Sequence, residues 1–66
     1  MTLTINGTEH PFEKELTLPE LLLHLELGDK PVVVELNRQA LAPSEFATKQ
    51  LADADQLEII TIAAGG

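Results

Sequence analysis

The chain has 66 residues, with four Lys or Arg against eleven Asp or Glu, so its formal net charge is −7. A chain of about 60 residues buries only about 60% of its unfolded surface, so we expect one domain with a small core and no room for a walled catalytic cavity. Because the few cations are scattered along the chain, the sequence excludes a surface that binds nucleic acid or an anionic membrane. The negative charge favours a protein partner with a basic docking surface; the alternative is that it only keeps the domain soluble.

The first elements form a predicted hairpin. Residues 2–5 alternate polar and apolar side chains with the period of a half-buried strand. Residues 6–7 are Asn-Gly, which suits a two-residue hairpin turn with positive φ angles. We expect the return strand over residues 8–13, with Phe12 pointing inward. This strand should lie at a sheet edge, because Pro11 has no N–H to donate.

A capped helix follows the hairpin. Thr17 and Glu20 have the spacing of a capping box. Leucines repeating at i, i+3, i+4 and i+7 predict a helix over residues 18–27. We expect it to end at Gly28, since glycine is favoured at the C′ position. Leu23 lies off the apolar stripe, so it should be either partly exposed or a contact residue.

The second half of the chain reads as short strands. Residues 32–36 are rich in valine and predict a strand, followed by a turn at 37–40 and a return strand that starts at Leu41. Residues 43–46 predict a helical turn, and residues 57–62 the last strand. The order β-β-α-β-β-β predicts a two-layer α+β domain with one helix packed on one sheet.

The last strand carries apolar residues on both faces. If Leu57 and Ile59 face the core, then Glu58, Ile60 and Ile62 face the other way. Two outward isoleucines form an apolar patch, which can mark a docking surface. We therefore predict partner contact at Glu58, Ile60 and Ile62. The alternative is that neighbouring elements or the strand's twist cover the patch.

The ionisable side chains predict neither a catalytic residue nor a metal site. His10 and His24 have no further ligand at metal-binding spacing. Asp53 and Asp55 lack the glycine and the distant glutamate of an EF-hand. Ser44 has no neighbouring base and is better interpreted as a helix start. No phosphate-binding glycine loop is present in the sequence.

The absence of cysteine excludes disulfides, thiolate metal sites and any side-chain persulfide. The sequence also shows no signal-peptide pattern and no apolar run approaching the roughly 18 residues of a membrane span. We therefore expect a cytoplasmic protein.

The remaining candidate is the tail, residues 63–66, which follows a predicted domain of residues 1–62. Glycine has no Cβ, so a Gly-Gly end can thread a narrow channel; the alternative is a frayed end without function. The Gly66 carboxylate is ionised at neutral pH and is a poor acyl electrophile. A partner would have to activate it, for example as an acyl-adenylate. Attack by a sulfur nucleophile would then give a thiocarboxylate, whereas attack by an amine would give an isopeptide. Because the chain has no cysteine, it could carry sulfur only on Gly66.

Five segments together resemble the ThiS family of ubiquitin-like β-grasp sulfur carriers of thiamine (thiazole) biosynthesis. They are residues 17–27, residues 34–37, residues 41–46, the Asp53-x-Asp55 loop and the terminal Ala64-Gly65-Gly66. The resemblance covers the whole chain, and Gly-Gly is its most specific element. One departure is Ala54, where family members often have glycine.

The resemblance implies a β-grasp fold, with a mixed sheet of about five strands and one main helix on one face. It implies that a ThiF-type enzyme, using ATP and Mg, adenylates Gly66, while the carrier itself binds no cofactor and is no enzyme. Sulfur from a cysteine desulfurase route would then form the thiocarboxylate, and thiazole synthase would accept it. Ala64, Gly65 and Gly66 would be the functional tail. The alternatives are the small subunit of molybdopterin synthase, a ubiquitin-like modifier, or an interaction module without carrier chemistry.

Overall fold

A five-stranded mixed sheet with one α-helix against one of its faces forms the fold of residues 1–62, the part of the chain that this computed structural model describes. This confirms the predicted α+β class and the predicted element order. The elements are β1 Thr2–Ile5, β2 Thr8–Pro11, α1 Leu18–His24, β3 Val32–Leu36, β4 Gln39–Ala40, a 3₁₀ helix Pro43–Thr48, and β5 Gln56–Thr61.

Strand β5 lies at the centre of the sheet, whose order is β2-β1-β5-β3-β4. It runs parallel to β1 and antiparallel to β3. Strand β2 is an edge strand, as Pro11 predicts. The inner face of the sheet packs on α1, and the buried apolar residues form one cluster: Leu3, Ile5, Leu16, Leu18, Leu21, Leu22, Val34, Leu36, Leu51, Leu57 and Ile59.

The start of α1 is fixed by the predicted capping box. Thr17 donates its N–H to Oε1 of Glu20 at 2.9 Å, and its hydroxyl accepts the Glu20 N–H at 3.3 Å. The hydrogen bonds from the Thr17 backbone and hydroxyl hold the pKa of the Glu20 carboxyl below its ordinary value. The helix therefore begins where the sequence predicts, with Leu18 as its first residue.

The end of α1 differs from the prediction. The helix stops at His24, three residues before the expected residue 27. Glu26, with φ of 63°, adopts the left-handed conformation that we expected at Gly28. The N–H of Glu26 donates to the Leu23 carbonyl and that of Leu27 to the Leu22 carbonyl, the pattern of a Schellman motif. Backbone hydrogen bonding thus outweighs the preference for glycine at this position.

Both hairpins use two-residue turns with positive φ. Asn6 and Gly7 have φ of 50° and 83°, and confirm the predicted turn. The second turn is Asn37-Arg38, with φ of 50° and 71°. The return strand β4 therefore starts at Gln39 instead of Leu41.

The predicted edge strand is also shorter than expected. Strand β2 ends at Pro11, although Phe12 still exchanges two backbone hydrogen bonds with Met1, at 2.7 and 2.9 Å. The missing N–H of Pro11 therefore lies on the outer side of this edge strand, where no neighbouring strand needs it. Phe12, beyond its end, is half-buried and packs against the core. No helix within residues 1–62 has the length and hydropathy needed to span a membrane.

The aspartates before β5 close a loop. Asp53 Oδ1 accepts the Thr2 N–H at 2.7 Å, and Asp55 Oδ2 accepts the Ala52 N–H at 2.8 Å. Between them, Ala54 has φ of 71°. This left-handed angle favours glycine, which gives a physical reason for the glycine that the family resembled here often has at this position.

Candidate functional site

Strand β5 presents the predicted docking residues to solvent. Leu57 and Ile59 are 1% and 6% exposed, whereas Ile60 and Ile62 are 62% and 51% exposed. Glu58 is exposed between the two buried residues. The alternation predicted from the sequence is therefore confirmed, and no element within residues 1–62 covers either isoleucine. That these residues contact a partner stays a prediction.

Strand β3 adds two residues to this surface. In the antiparallel register, Val33 lies opposite Ile60, and Glu35 lies opposite Glu58. Cross-strand partners share a face of the sheet. Val33 is 44% exposed, so it extends the apolar patch across two strands. We call this surface the outward face, formed by Val33, Glu35, Glu58, Ile60 and Ile62.

The two glutamates of the outward face form a like-charge pair. Both are exposed, and they lie directly opposite each other on neighbouring strands. Like charges in this position destabilise a sheet. A lysine or arginine from a partner would remove the repulsion, because it would lie between two carboxylates. The outward face therefore suits a partner that offers an apolar side chain next to a cation.

Asn6 fixes the part of β5 that carries these residues. Its side-chain amide donates to the Ile59 carbonyl at 3.1 Å, and its Oδ1 accepts the Ile59 N–H at 2.8 Å. Its own N–H donates to the Leu57 carbonyl at 2.9 Å. The ladder between β1 and β5 ends at Ile5, so Asn6 continues the pairing of β5 after β1 has turned away.

The hydrogen bonding of β5 reaches the last described residue. The Ile62 N–H donates to the Pro31 carbonyl at 3.0 Å, and Thr61 lies opposite Val32. The predicted tail residues Ala64, Gly65 and Gly66 lie outside the described residues, as does the boundary at residue 63. Their assignment as tail and sulfur-carrying residue stays a prediction.

The remaining candidates do not form a site with one another. His10 lies on β2, while the ring of His24 on α1 packs against Phe12 in an edge-on arrangement with centroids 5.1 Å apart. Within residues 1–62, no three His, Asp or Glu side chains lie close enough to hold a metal ion. Asp53 and Asp55 are engaged with the backbone, as described above, and Ser44 lies in the 3₁₀ helix.

The site prediction from the sequence did not include two residues of the outward face, Val33 and Glu35, or Asn6, which holds the backbone of β5 at Ile59. Glu35 is exposed on β3, and by alternation Val33 shares its side of the sheet. Their pairing with Ile60 and Glu58 depends on the register between β3 and β5, which no local pattern reveals. The Asn6-Gly7 pair predicts a turn, but nothing in the local sequence predicts that the Asn6 side chain also hydrogen-bonds to the Ile59 backbone.

Comparison with known proteins gives a consistent result. Residues 3–66 match the model of the ThiS family. The chain is 31% identical to the sulfur carrier protein ThiS of Bacillus subtilis, over 97% of this chain and 98% of that protein. A crystal structure of the thiamine biosynthesis protein ThiS from Geobacter metallireducens superposes with a TM-score of 0.83, at 32% identity and with both chains fully covered.

A second kind of relative is much longer. The chain is 36% identical to a thiazole synthase of Paramagnetospirillum magneticum along its whole length. It spans only 20% of that protein. A domain similar to this one is thus part of a larger polypeptide named for thiazole synthesis.

Proposed function

Because the chain belongs to the ThiS family, we infer that it is a sulfur carrier of thiamine biosynthesis. The observation that carries this inference is that the family match runs to residue 66 and so includes Gly65-Gly66. Residues 63–66 follow Ile62 in the sequence, and Ile62 comes directly after the central strand β5; Ile60 and Ile62 are both exposed. The protein is a carrier, and the chemistry takes place in the active sites of its partners.

The proposed chemistry begins with activation of Gly66. A ThiF-type enzyme with ATP and Mg directs a carboxylate oxygen of Gly66 onto the α-phosphorus of ATP, so that an acyl-adenylate forms and pyrophosphate leaves. A sulfur nucleophile then bonds to the acyl carbon, and the bond to AMP breaks. When the nucleophile is hydrosulfide, this reaction gives the thiocarboxylate directly. Thiazole synthase takes the sulfur in exchange for oxygen, which restores the carboxylate.

The outward face is the proposed docking surface for the activating enzyme. Its apolar residues Val33, Ile60 and Ile62 are exposed, Val33 lies opposite Ile60, and Ile62 directly precedes residues 63–66 in the sequence. An enzyme bound there would be close to the point where the tail begins. Glu35 and Glu58 provide charge complementarity to a basic enzyme surface. The net charge of −7 would also speed the encounter with such a surface.

Thiazole synthase is the proposed sulfur acceptor. The support is the relative in which a domain similar to this chain is part of a protein named thiazole synthase. A covalent link between two proteins is expected to replace a transient encounter when both act in the same reaction sequence, since it raises their effective concentration. The cysteine desulfurase remains the proposed origin of the sulfur.

Intact-mass spectrometry tests the function. The purified chain is incubated with a ThiF-type enzyme, ATP, Mg and sulfide. We expect a mass increase equal to the difference between sulfur and oxygen, located on the peptide that ends in Gly66. A chain that ends at Gly65 should show no increase. An unchanged mass with a competent enzyme contradicts the proposal, and an isopeptide adduct on another protein favours the modifier alternative.

The docking surface needs a separate test. Ile60→Ser removes an exposed apolar side chain, so the KM for the chain in adenylation should rise while the fold is kept. Gln56→Ser is the matched control, since Gln56 lies on the same strand and face but at the end far from the tail. Equal KM values for both variants would show that the outward face does not bind the enzyme.

A further inference from the structure

Leu23 on α1 is the most exposed of the large apolar side chains in residues 1–62, at 73%. A single exposed leucine is common in small proteins. This one, however, separates two shallow grooves on the helix layer, which lies opposite the outward face. The first groove is lined by Phe12, Glu13, Lys14, Leu16, Glu20 and His24. The second is lined by Pro19, Glu26, Gly28 and Asp29. We call Leu23 and these two grooves the Leu23 face.

The charges around Leu23 indicate which partner fits. The two grooves contain four carboxylates, on Glu13, Glu20, Glu26 and Asp29, and one ammonium, on Lys14. A surface that surrounds an apolar side chain with lysine or arginine is therefore complementary. A second copy of this chain is not complementary, because it would bring the same acidic surface and a net charge of −7.

The second groove leads to the end of the molecule from which the tail departs. Asp29 in this groove is two residues from Pro31, whose carbonyl accepts the Ile62 N–H at 3.0 Å. Four extended residues span at most about 14 Å, so Gly66 stays within this distance of Ile62. A protein bound to the Leu23 face is thus close to the tail without occupying the outward face.

We propose that the Leu23 face docks the persulfide-bearing protein that delivers sulfur to Gly66. This inference rests on the proposed function, in which the activating enzyme occupies the outward face during the same step. The occupant is a cysteine desulfurase-type protein that places an apolar side chain against Leu23 and basic side chains against Glu26 and Asp29. Carrier, enzyme and sulfur donor then form one complex around the tail.

Two sulfur sources distinguish docking from chemistry. Sulfide attacks the acyl-adenylate and releases AMP, leaving the thiocarboxylate. The terminal sulfur of the desulfurase persulfide attacks the same carbon and also releases AMP, leaving an acyl disulfide between the two proteins. A thiol then attacks the desulfurase sulfur of this acyl disulfide, forms a disulfide with it and releases the thiocarboxylate, so that the thiol supplies the two electrons. For Leu23→Ser we expect AMP release from the persulfide-loaded desulfurase to slow about tenfold, the effect of a residue central to an interface. Release by sulfide should equal that of the wild type.

Two further variants test whether the Leu23 face is the docking surface of the sulfur donor. Asp29→Lys should also slow the persulfide reaction alone, because it reverses a charge in the groove. Leu23→Met, which keeps an apolar side chain, should restore most of the rate. Equal slowing with both sulfur sources, or no slowing with either, overturns the proposal. Absence of pyrophosphate release from the wild-type chain would instead contradict the proposed function, and this proposal with it.

Discussion

The two faces of strand β5 differ in burial, although they belong to the same six residues. On the inner face, Leu57 and Ile59 are almost fully buried against the core. On the outward face, Ile60 is 62% exposed beside a pair of opposed glutamates. The inner face contributes to stability by burial. The outward face keeps features that reduce stability, namely exposed apolar surface and like charges, which is expected where a partner binds.

The largest contrast should appear when the same kind of truncation is made on each face. Leu57→Ala creates a cavity in the core, and we expect it to lower the free energy of unfolding by about 2–5 kcal/mol. Ile60→Ala removes a side chain that faces solvent, so its effect should stay below about 1 kcal/mol. Urea unfolding measures both values. Equal losses would show that the two faces do not differ in the way described.

The next largest loss of stability is expected at Asn6, whose side chain binds the backbone of β5 between its buried and exposed residues. Asn6→Ala removes two hydrogen bonds to the Ile59 backbone and places alanine at a φ of 50°. We expect a loss of about 1–3 kcal/mol, since a partly buried donor and acceptor lose their partner. Asn6→Gly separates the two causes, because glycine tolerates the angle but cannot bind Ile59. If Asn6→Gly is as stable as the wild type, the side-chain hydrogen bonds contribute nothing.

A smaller change in stability is expected at the end of α1, the helix that packs on the inner face of the sheet. Glu26→Gly relieves a φ of 63° and should stabilise the chain by up to about 1 kcal/mol. Gly28→Ala is the matched control: its φ is not positive, and an added Cβ would lie 3.4 Å from the Leu23 side chain. We expect little change there. The outward face should keep its affinity in both variants, so thermal unfolding and adenylation are measured together.

This helix end also shows what the sequence can and cannot predict. The capping box at Thr17 and Glu20 is a local signal, and it places the helix start correctly. The helix end is set by hydrogen bonds that a glutamate satisfies at a small conformational cost, so the position of Gly28 is misleading. The outward direction of Ile60 and Ile62 follows from alternation along one strand. Their pairing with β3 depends on register, a non-local property, and Val33 therefore could not be assigned to the site.

The smallest effect on stability is the most informative about function. Glu58→Gln removes one charge of the opposed pair, so it should stabilise the fold by about 0.2–1 kcal/mol, the range for cross-strand pairs. The same change should raise the KM for adenylation, because the partner's cation loses one of its two carboxylates. Glu9→Gln, on the edge strand β2, serves as control for the change in net charge. A gain in stability together with weaker binding would mean that the repulsion between Glu35 and Glu58 is retained for docking. A gain in stability with unchanged binding would leave only the apolar residues of the outward face as contributors to recognition.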